Sequence, residues 1–145
     1  MEGRGVQANP TLEKVRELVS LAKDNEVQAV LAVGGGSVID TAKTVAAAMY
    51  MQDAWNIFTH EERIERALPI YAVLTISATG SEMNGNAVIS NAETKQKWGM
   101  YSPLFYPKLS IIDPSVQNSL PFNQTAFGAM DAIAHILEYY FADEK

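Results

Sequence analysis

The stretch Ala32-Val33-Gly34-Gly35-Gly36-Ser37-Val38-Ile39-Asp40-Thr41-Ala42-Lys43 constrains the fold more than any other. An apolar run, residues 29–33, enters it, three glycines turn it, and a helical pattern leaves it. A strand that ends in bare backbone and opens a helix leaves the first helical amides without intrahelical acceptors. The helix dipole adds partial positive charge at the same place. Glycines let a phosphate come close to the backbone. The turn therefore reads as the seat of a phosphate-bearing ligand, with a nucleotide cofactor foremost. It is not a P-loop, because no Gly-Lys-Ser/Thr follows at the required spacing. Ile39 also stands where a strict dinucleotide fingerprint has its third glycine. A tight strand-to-helix turn that binds nothing would look the same.

The flanking chain alternates helix and strand. Asn9-Pro10 reads as a helix start, with Asn9 as N-cap and Pro10 at the first helical position. Leu12, Val15, Leu18, Val19 and Ala22 share one face of that helix, which runs to about Asn25. Residues 27–33 are apolar at nearly every position, the pattern of a strand covered on both faces. Ser37 is expected to cap the next helix, with Asp40 three residues on in a capping-box arrangement. Residues 41–51 are rich in alanine, a strong helix former. Residues 55–66 read as a loop with one short helix, and 70–76 as a second buried strand. Residues 86–90 and 95–100 flank Asn91-Ala92-Glu93-Thr94 as a β-hairpin. A short strand at 109–112 stops at Asp113-Pro114, and a final helix spans 122–141. This order predicts an α/β layer with parallel strands. The length of 145 residues suits one domain with a real core. Character changes near Asn118, which divides the chain into an α/β part, 1–117, and the start of a helical part, 118–145. One helix cannot bury its own apolar face, so that second part reads as incomplete.

Two further constellations carry chemistry. The loop around Ser77-Ala78-Thr79-Gly80-Ser81-Glu82 and the glycine turn both follow apolar strands, and open α/β sheets bind ligands outside those carboxyl ends. Thr75, Thr79, Ser81 and Asn84 offer hydroxyl and amide groups to a sugar or phosphate. An ordinary polar loop uses the same residue types. Asp131 and His135 stand at i and i+4 on one helical face, where a carboxylate and an imidazole can share a divalent cation. An Asp–His hydrogen-bonded pair within a core fits the same spacing. Two ligands also fall short of the three or more usual in catalytic sites. His60, beside Glu61, Glu62 and Arg63, reads as a solvated surface residue. Lys97, just after the hairpin turn, is either solvated or able to reach a cofactor phosphate or ribose.

Composition narrows the partners. The net charge is −6 with no Lys/Arg cluster, which argues against nucleic acid and anionic membrane. There is no cysteine, hence no disulfide, thiolate nucleophile or Cys-based zinc site. This fits a cytoplasmic protein. The first residues carry no signal-peptide core, and no apolar stretch reaches the roughly 18 residues of a membrane span. Nearly half the residues are apolar, so the chain is globular rather than disordered.

Six stretches together have a familiar order: Gly5-Val6-Gln7-Ala8-Asn9-Pro10, residues 32–43 (AVGGGSVIDTAK), residues 74–84 (LTISATGSEMN), Ile112-Asp113-Pro114, Leu120-Pro121, and residues 128–138 (GAMDAIAHILE). In this set the chain resembles the iron-containing (group III) alcohol dehydrogenase family, in its butanol dehydrogenase and broad aldehyde reductase branch. The resemblance implies an α/β dinucleotide-binding domain, here 1–117, followed by an all-helical metal domain that begins at 118–145. It implies NAD or NADP, with Gly35, Gly36 and Ser37 on the pyrophosphate and Asp40 counted in the same cofactor-binding set. Thr75 and Thr79 approach the pyrophosphate and the nicotinamide side, and Asn84 and Lys97 stand near the cofactor. Asp131 and His135 match the first two ligands of Fe2+ or Zn2+. The implied reaction interconverts a primary alcohol and its aldehyde by hydride transfer, with the metal as Lewis acid. The intact enzyme is expected to be a homo-oligomer, a dimer.

Members of that family run well over twice this length. The resemblance places the first strands, with the residue that discriminates NAD from NADP, before Met1, and two further histidine ligands after Lys145. The chain is thus expected to be an internal fragment without activity of its own. A sister enzyme of the same fold, glycerol dehydrogenase-like or dehydroquinate synthase-like, and a non-catalytic nucleotide-binding or structural remnant are the alternatives.

Overall fold

The first helix, α1 (Leu12–Asp24), is capped by Thr11 and not by Asn9. The Thr11 hydroxyl accepts the Lys14 amide at 3.3 Å. Pro10 lies outside the helix because its carbonyl accepts the Ser90 amide at 2.9 Å, and Thr11 forms a parallel bridge to Ser90. That bridge keeps the chain extended for two residues beyond the expected start. Asn9 takes the left-handed conformation, φ 58°, where asparagine is tolerated. The apolar face is the expected one. Leu12, Val15 and Ala22 are buried, and Leu18 and Val19 pack partly buried against the same core.

The computed structural model describes residues 1–142. Strands β1 (Val30–Gly34), β2 (Ile70–Leu74) and β5 (Leu109–Ile111) form a parallel sheet in the order β1-β2-β5. Ala32 stands opposite Ala72, and Ala72 opposite Ser110. Strands β3 (Asn86–Asn91) and β4 (Gln96–Tyr101) form the expected antiparallel hairpin. Helix α3 (Asn56–Thr59) is the short helix of the 55–66 segment, with His60 exposed behind it.

Helix α2 (Gly36–Ala48) is the central element. One side packs Ile39 and Ala42 on Ala32, Ala72 and Leu74 of the sheet. The other side carries Val45 into a cluster with Leu12, Val15, Ala87, Ile89 and Phe105. Every residue from 41 to 48 is buried. A helix enclosed on both sides must be thin, which is what its alanines provide. Its two threonines satisfy their hydroxyls within the helix, Thr41 on the Ser37 carbonyl and Thr44 on the Asp40 carbonyl, each at 2.8 Å.

The expectation that the first strand is covered on both faces does not hold among the described residues. Strand alternation turns Ala32 toward α2 and Leu31 and Val33 away from it. Leu31 and Val33 are 62% and 56% exposed, and Tyr71, Leu109 and Ile111 are exposed large apolars of the same sheet. Helix α4 (Phe122–Phe141) has the expected bounds, and Gly128 is its one buried residue. Its large apolar side chains, Phe122 and Tyr139 among them, are exposed. The last three positions of the 118–145 segment lie outside the described residues. Among the described residues no helix is long and apolar enough to cross a membrane.

An ion pair fastens α1 to the segment before α3. Arg16 grips both oxygens of Asp53, Nε at 2.8 Å and Nη2 at 2.9 Å. The guanidinium holds the Asp53 carboxyl below its ordinary value. A depressed carboxylate contributes stability that is full above its unfolded pKa and lost as pH falls through the folded one. Arg16→Ala is therefore expected to cost about 0.5–1 kcal/mol at neutral pH, the range for a partly exposed pair. Urea midpoints of wild type and variant should converge in strong acid. A gap that persists there would assign the loss to packing instead.

Candidate functional site

The glycine turn opens α2 as a bare helix end. Gly35 is the N-cap and has no side-chain cap bond. Its carbonyl receives the Val38 and Ile39 amides at 3.0 and 3.1 Å. The amides of Gly36 and Ser37 have no intrahelical acceptor and face outward along the axis. Ser37 lies inside the first turn, so it is not the cap. The expected capping box is absent for a second reason: the Asp40 carboxylate is engaged elsewhere. The cap position is left to glycine backbone, which leaves the site open to an anion.

The second loop folds back onto this turn. The Thr75 amide donates to the Gly34 carbonyl at 3.1 Å. A Cβ added at Gly35 would overlap Ile76, and one added at Gly36 would overlap the Thr79 hydroxyl. A side chain at either position would displace the facing Ile76 or Thr79, because two loops, each leaving a parallel strand at its carboxyl end, pass within contact of each other. Gly80, at φ 66°, supplies the left-handed residue that turns the second loop. Thr75, Thr79, Gly35, Gly36 and Ser37 are thus brought together.

Behind the two loops lies a buried polar network. Lys43 has no exposed surface. Its ammonium donates to Ser81 Oγ (2.9 Å), Asn84 O (2.9 Å), Asn84 Oδ1 (3.1 Å) and Asn86 O (2.7 Å). Ser81 donates in turn to Asp40 Oδ1 at 2.6 Å, and the Val88 amide donates to Asp40 Oδ2 at 3.0 Å. Burial pushes the Lys43 ammonium down to about 8, against the pull of Asp40 and Glu82. Burial likewise pushes the Asp40 carboxyl up, against its bonds from Ser81 and Val88 and the charge of Lys43. Asp40 therefore holds α2, the second loop and β3 together. Asn84 is occupied in the same way, since its Oδ1 also accepts the Asn86 amide at 2.9 Å.

Helix α4 meets the second loop through a glycine. A Cβ at Gly128 would stand 2.5 Å from the Ser77 carbonyl oxygen. Gln117 secures the same residue, accepting the Ser77 amide at 3.1 Å and donating to its hydroxyl at 3.0 Å. A cleft between loop and helix is lined by Ile76, Ser77, Gly80, Glu82, Thr125 and Ala132. Asp131 lies at i+3 from Gly128 and shares its helix face.

Asp131 Oδ2 and His135 Nε2 are 3.6 Å apart. Asp131 Oδ2 is shielded from solvent and has no hydrogen-bond partner. His135 Nδ1 lies 3.4 Å from Glu138 Oε2. A proton on that nitrogen, held by the glutamate, leaves Nε2 with a lone pair on the Asp131 side, the arrangement by which carboxylates orient metal-binding imidazoles. The shielded oxygen and the imidazole nitrogen fit two donors of one divalent cation. Among the described residues no group of three or more such ligands forms.

Lys97 is placed differently. It is exposed on β4 and donates to Asn9 Oδ1 at 2.8 Å. Lys43, Gln117 and Gly128 lie outside the expected set of site residues, although Lys43 closes the stretch 32–43 and Gly128 opens the stretch 128–138. A lysine flanked by Ala42, Thr44, Val45 and Ala46 in an apolar helix was the available signal for the first. Nothing local marks Gln117, or shows that Gly128 meets the second loop.

The whole arrangement has close counterparts. A family model described as iron-containing alcohol dehydrogenase matches residues 3–114. The solved NADH-dependent butanol dehydrogenase A of Thermotoga maritima is 63% identical, with a TM-score of 0.91, over 94% of this chain and 35% of that one. The probable NADH-dependent butanol dehydrogenase 1 of Bacillus subtilis is 48% identical over 138 residues, 94% of this chain and 36% of its own length. The NADPH-dependent aldehyde reductase YqhD of Escherichia coli is 40% identical over 144 residues, 97% of this chain and 37% of its own length. The chain thus spans about a third of the length of these relatives. The matched stretch contains both loops that meet at Gly36 and Thr79, and the chain belongs to the iron-containing alcohol dehydrogenase family.

Proposed function

We propose that this chain carries the dinucleotide cleft and two metal ligands of an NAD(P)-dependent oxidoreductase that interconverts a primary alcohol and its aldehyde. The observation that carries the reading is the meeting of Thr79 with Gly36 at the carboxyl ends of two parallel strands. Residues 1–117 form the cofactor-binding part and 118–145 begin the metal-binding one. The relatives named for butanol and aldehyde chemistry support the substrate class.

Each residue then has a task. The Gly36 and Ser37 amides donate to the pyrophosphate, and the dipole of α2 favours its charge. Thr75 and Thr79 add hydroxyl donors from the facing loop. Asp131 and His135 hold Fe2+ or Zn2+ on the face of α4 that meets the second loop. When bound, the cation polarises the alcohol or aldehyde oxygen and the nicotinamide exchanges the hydride. Gly128 lets the backbones of helix and loop meet at Ser77, and the Gln117 side chain pins Ser77 there.

The test is a titration of the 145-residue chain with NADH and with NADPH, followed by nicotinamide fluorescence. Saturable enhancement is expected with at least one of them, and a flat response to both would remove the reading. With Fe2+ or Zn2+, butanol and NAD or NADP, the chain is expected to form no reduced cofactor, because two ligands leave the cation under-held. Measurable turnover would show that Asp131 and His135 suffice.

A further inference from the structure

Lys43 sits in the middle of α2 with no exposed surface, and all its protons are spoken for. Three ammonium hydrogens meet four acceptors, two of them main-chain carbonyls. It therefore cannot be a phosphate ligand, the role its place near a glycine turn would suggest. What it does hold is backbone. Between Leu74 and Ala87 the one buried side chain is that of Ser81, a small polar group that anchors no apolar area. Thr79 and Met83 are exposed. With Ile76 only partly buried against Gly35, the order of this loop rests largely on polar bonds that offset its conformational entropy. Gln117 holds the first half through Ser77, and the Ser110 hydroxyl donates to the Glu82 carbonyl at 2.6 Å. The second half is held from α2. Ser81 accepts from Lys43 and donates to Asp40, and its amide donates to Thr79 Oγ1 at 3.3 Å. Thr79 Oγ1 is the atom that lies over Gly36. The bonds run from the interior of α2 through Ser81 to Thr79, whose hydroxyl packs against the first residue of the same helix.

We propose that Lys43 is the positioning residue of the cofactor cleft: its ammonium ties residues 81–86 to α2 and thereby holds Thr79 over Gly36. The proposal rests on the dinucleotide reading given above. The charged groups that face Lys43 are Asp40 on α2 and Glu82 on the short 3-10 turn Ser81–Met83. A neutral amine has two hydrogens and a lone pair that would face carbonyl oxygens, so the tether slackens when Lys43 loses its proton. That gives the role a pH signature which a space-filling role would lack.

The experiment compares wild type with Lys43→Met, whose side chain fills similar space without donors. Amide hydrogen exchange of the free chains is expected to be about tenfold faster at residues 78–86 in the variant and unchanged in α1. NADH affinity is expected to fall about tenfold in the variant at pH 7. Wild-type affinity should decline as pH rises through about 8, whereas the variant should bind with a flat pH profile. Should Lys43→Met fail to fold by circular dichroism, Ser81→Ala cuts the same path one bond later and carries both readouts. Unchanged loop exchange overturns the tether. Faster exchange with unaltered NADH affinity overturns its role in the cleft. A wild-type chain that binds neither NADH nor NADPH overturns the dinucleotide reading and the cofactor role with it, and exchange alone then decides the tether.

Discussion

Gly36→Val is expected to lower NADH affinity by at least about a hundredfold, close to 3 kcal/mol of binding free energy. Two effects add. A Cβ at this position overlaps the Thr79 hydroxyl, so Thr79 must leave its place over the turn. The branched methyls then stand in front of the Gly36 and Ser37 amides, where a phosphate would be received. The backbone itself tolerates valine, since Gly36 does not have positive φ, so the fold should survive the change. Gly99→Val on the hairpin is the control. A Cβ there meets its nearest atom, Val88 Cγ2, at an ordinary 3.6 Å. Fluorescence titration of the three proteins with NADH decides the matter. Equal affinity of Gly36→Val and wild type would mean that no phosphate sits on this helix end.

The second large effect is on stability. Asp40→Ala is expected to cost about 3 kcal/mol at pH 7, because it leaves the Lys43 ammonium buried without its counter-charge. It also leaves the Ser81 hydroxyl and the Val88 amide without their acceptor. The pH dependence has a definite sign. The folded pKa of Lys43, about 8, lies below its ordinary 10.5. Between those values the unfolded chain holds a proton that the folded chain has lost, so this group's contribution rises with pH across that window. The Asp40 carboxyl is shifted the other way. Its contribution is full below the unfolded value and falls as pH rises through the folded one. Both shifts say that burying these charges is costly, yet removing one of them costs more than keeping both. The gap between wild type and Asp40→Ala should therefore narrow toward pH 10, where Lys43 is neutral. Urea midpoints measured at pH 7 and pH 10 test this. A variant within about 0.5 kcal/mol of wild type at pH 7 would mean that Asp40 and Lys43 are not coupled.

Much of this architecture is legible in residue order. The apolar run before three glycines, the alanine-rich helix after them and the hairpin around Asn91 all depend on neighbours within a few positions, and all are found. The failures share one cause. The Asn9 cap loses to Thr11 because Ser90, far along the chain, takes the Pro10 carbonyl. The capping box at Ser37 and Asp40 obeys a local rule, but the partners of Asp40 are Ser81 and Val88. Residues 27–33 show an apolar character on both strand faces, and that character says nothing of which neighbour covers each face. At the candidate site, residue types were readable and their division of labour was not. Asp40 and Asn84 are spent on holding Lys43 and the second loop, Lys97 is spent on Asn9, and Thr79 and Gly36 are left facing one another.

The enclosure of Lys43 has a use in the laboratory. An amine-reactive reagent labels Lys95 and Lys108 at the surface at once, but it can reach the buried Lys43 only when the packing around α2, residues 81–86 included, opens. At mildly alkaline pH the freed amine is a ready nucleophile, so each opening of sufficient length leaves a permanent mark at one mappable position. The fraction of Lys43 modified after a timed pulse is a clock for opening around α2, read by mass spectrometry without any engineered label.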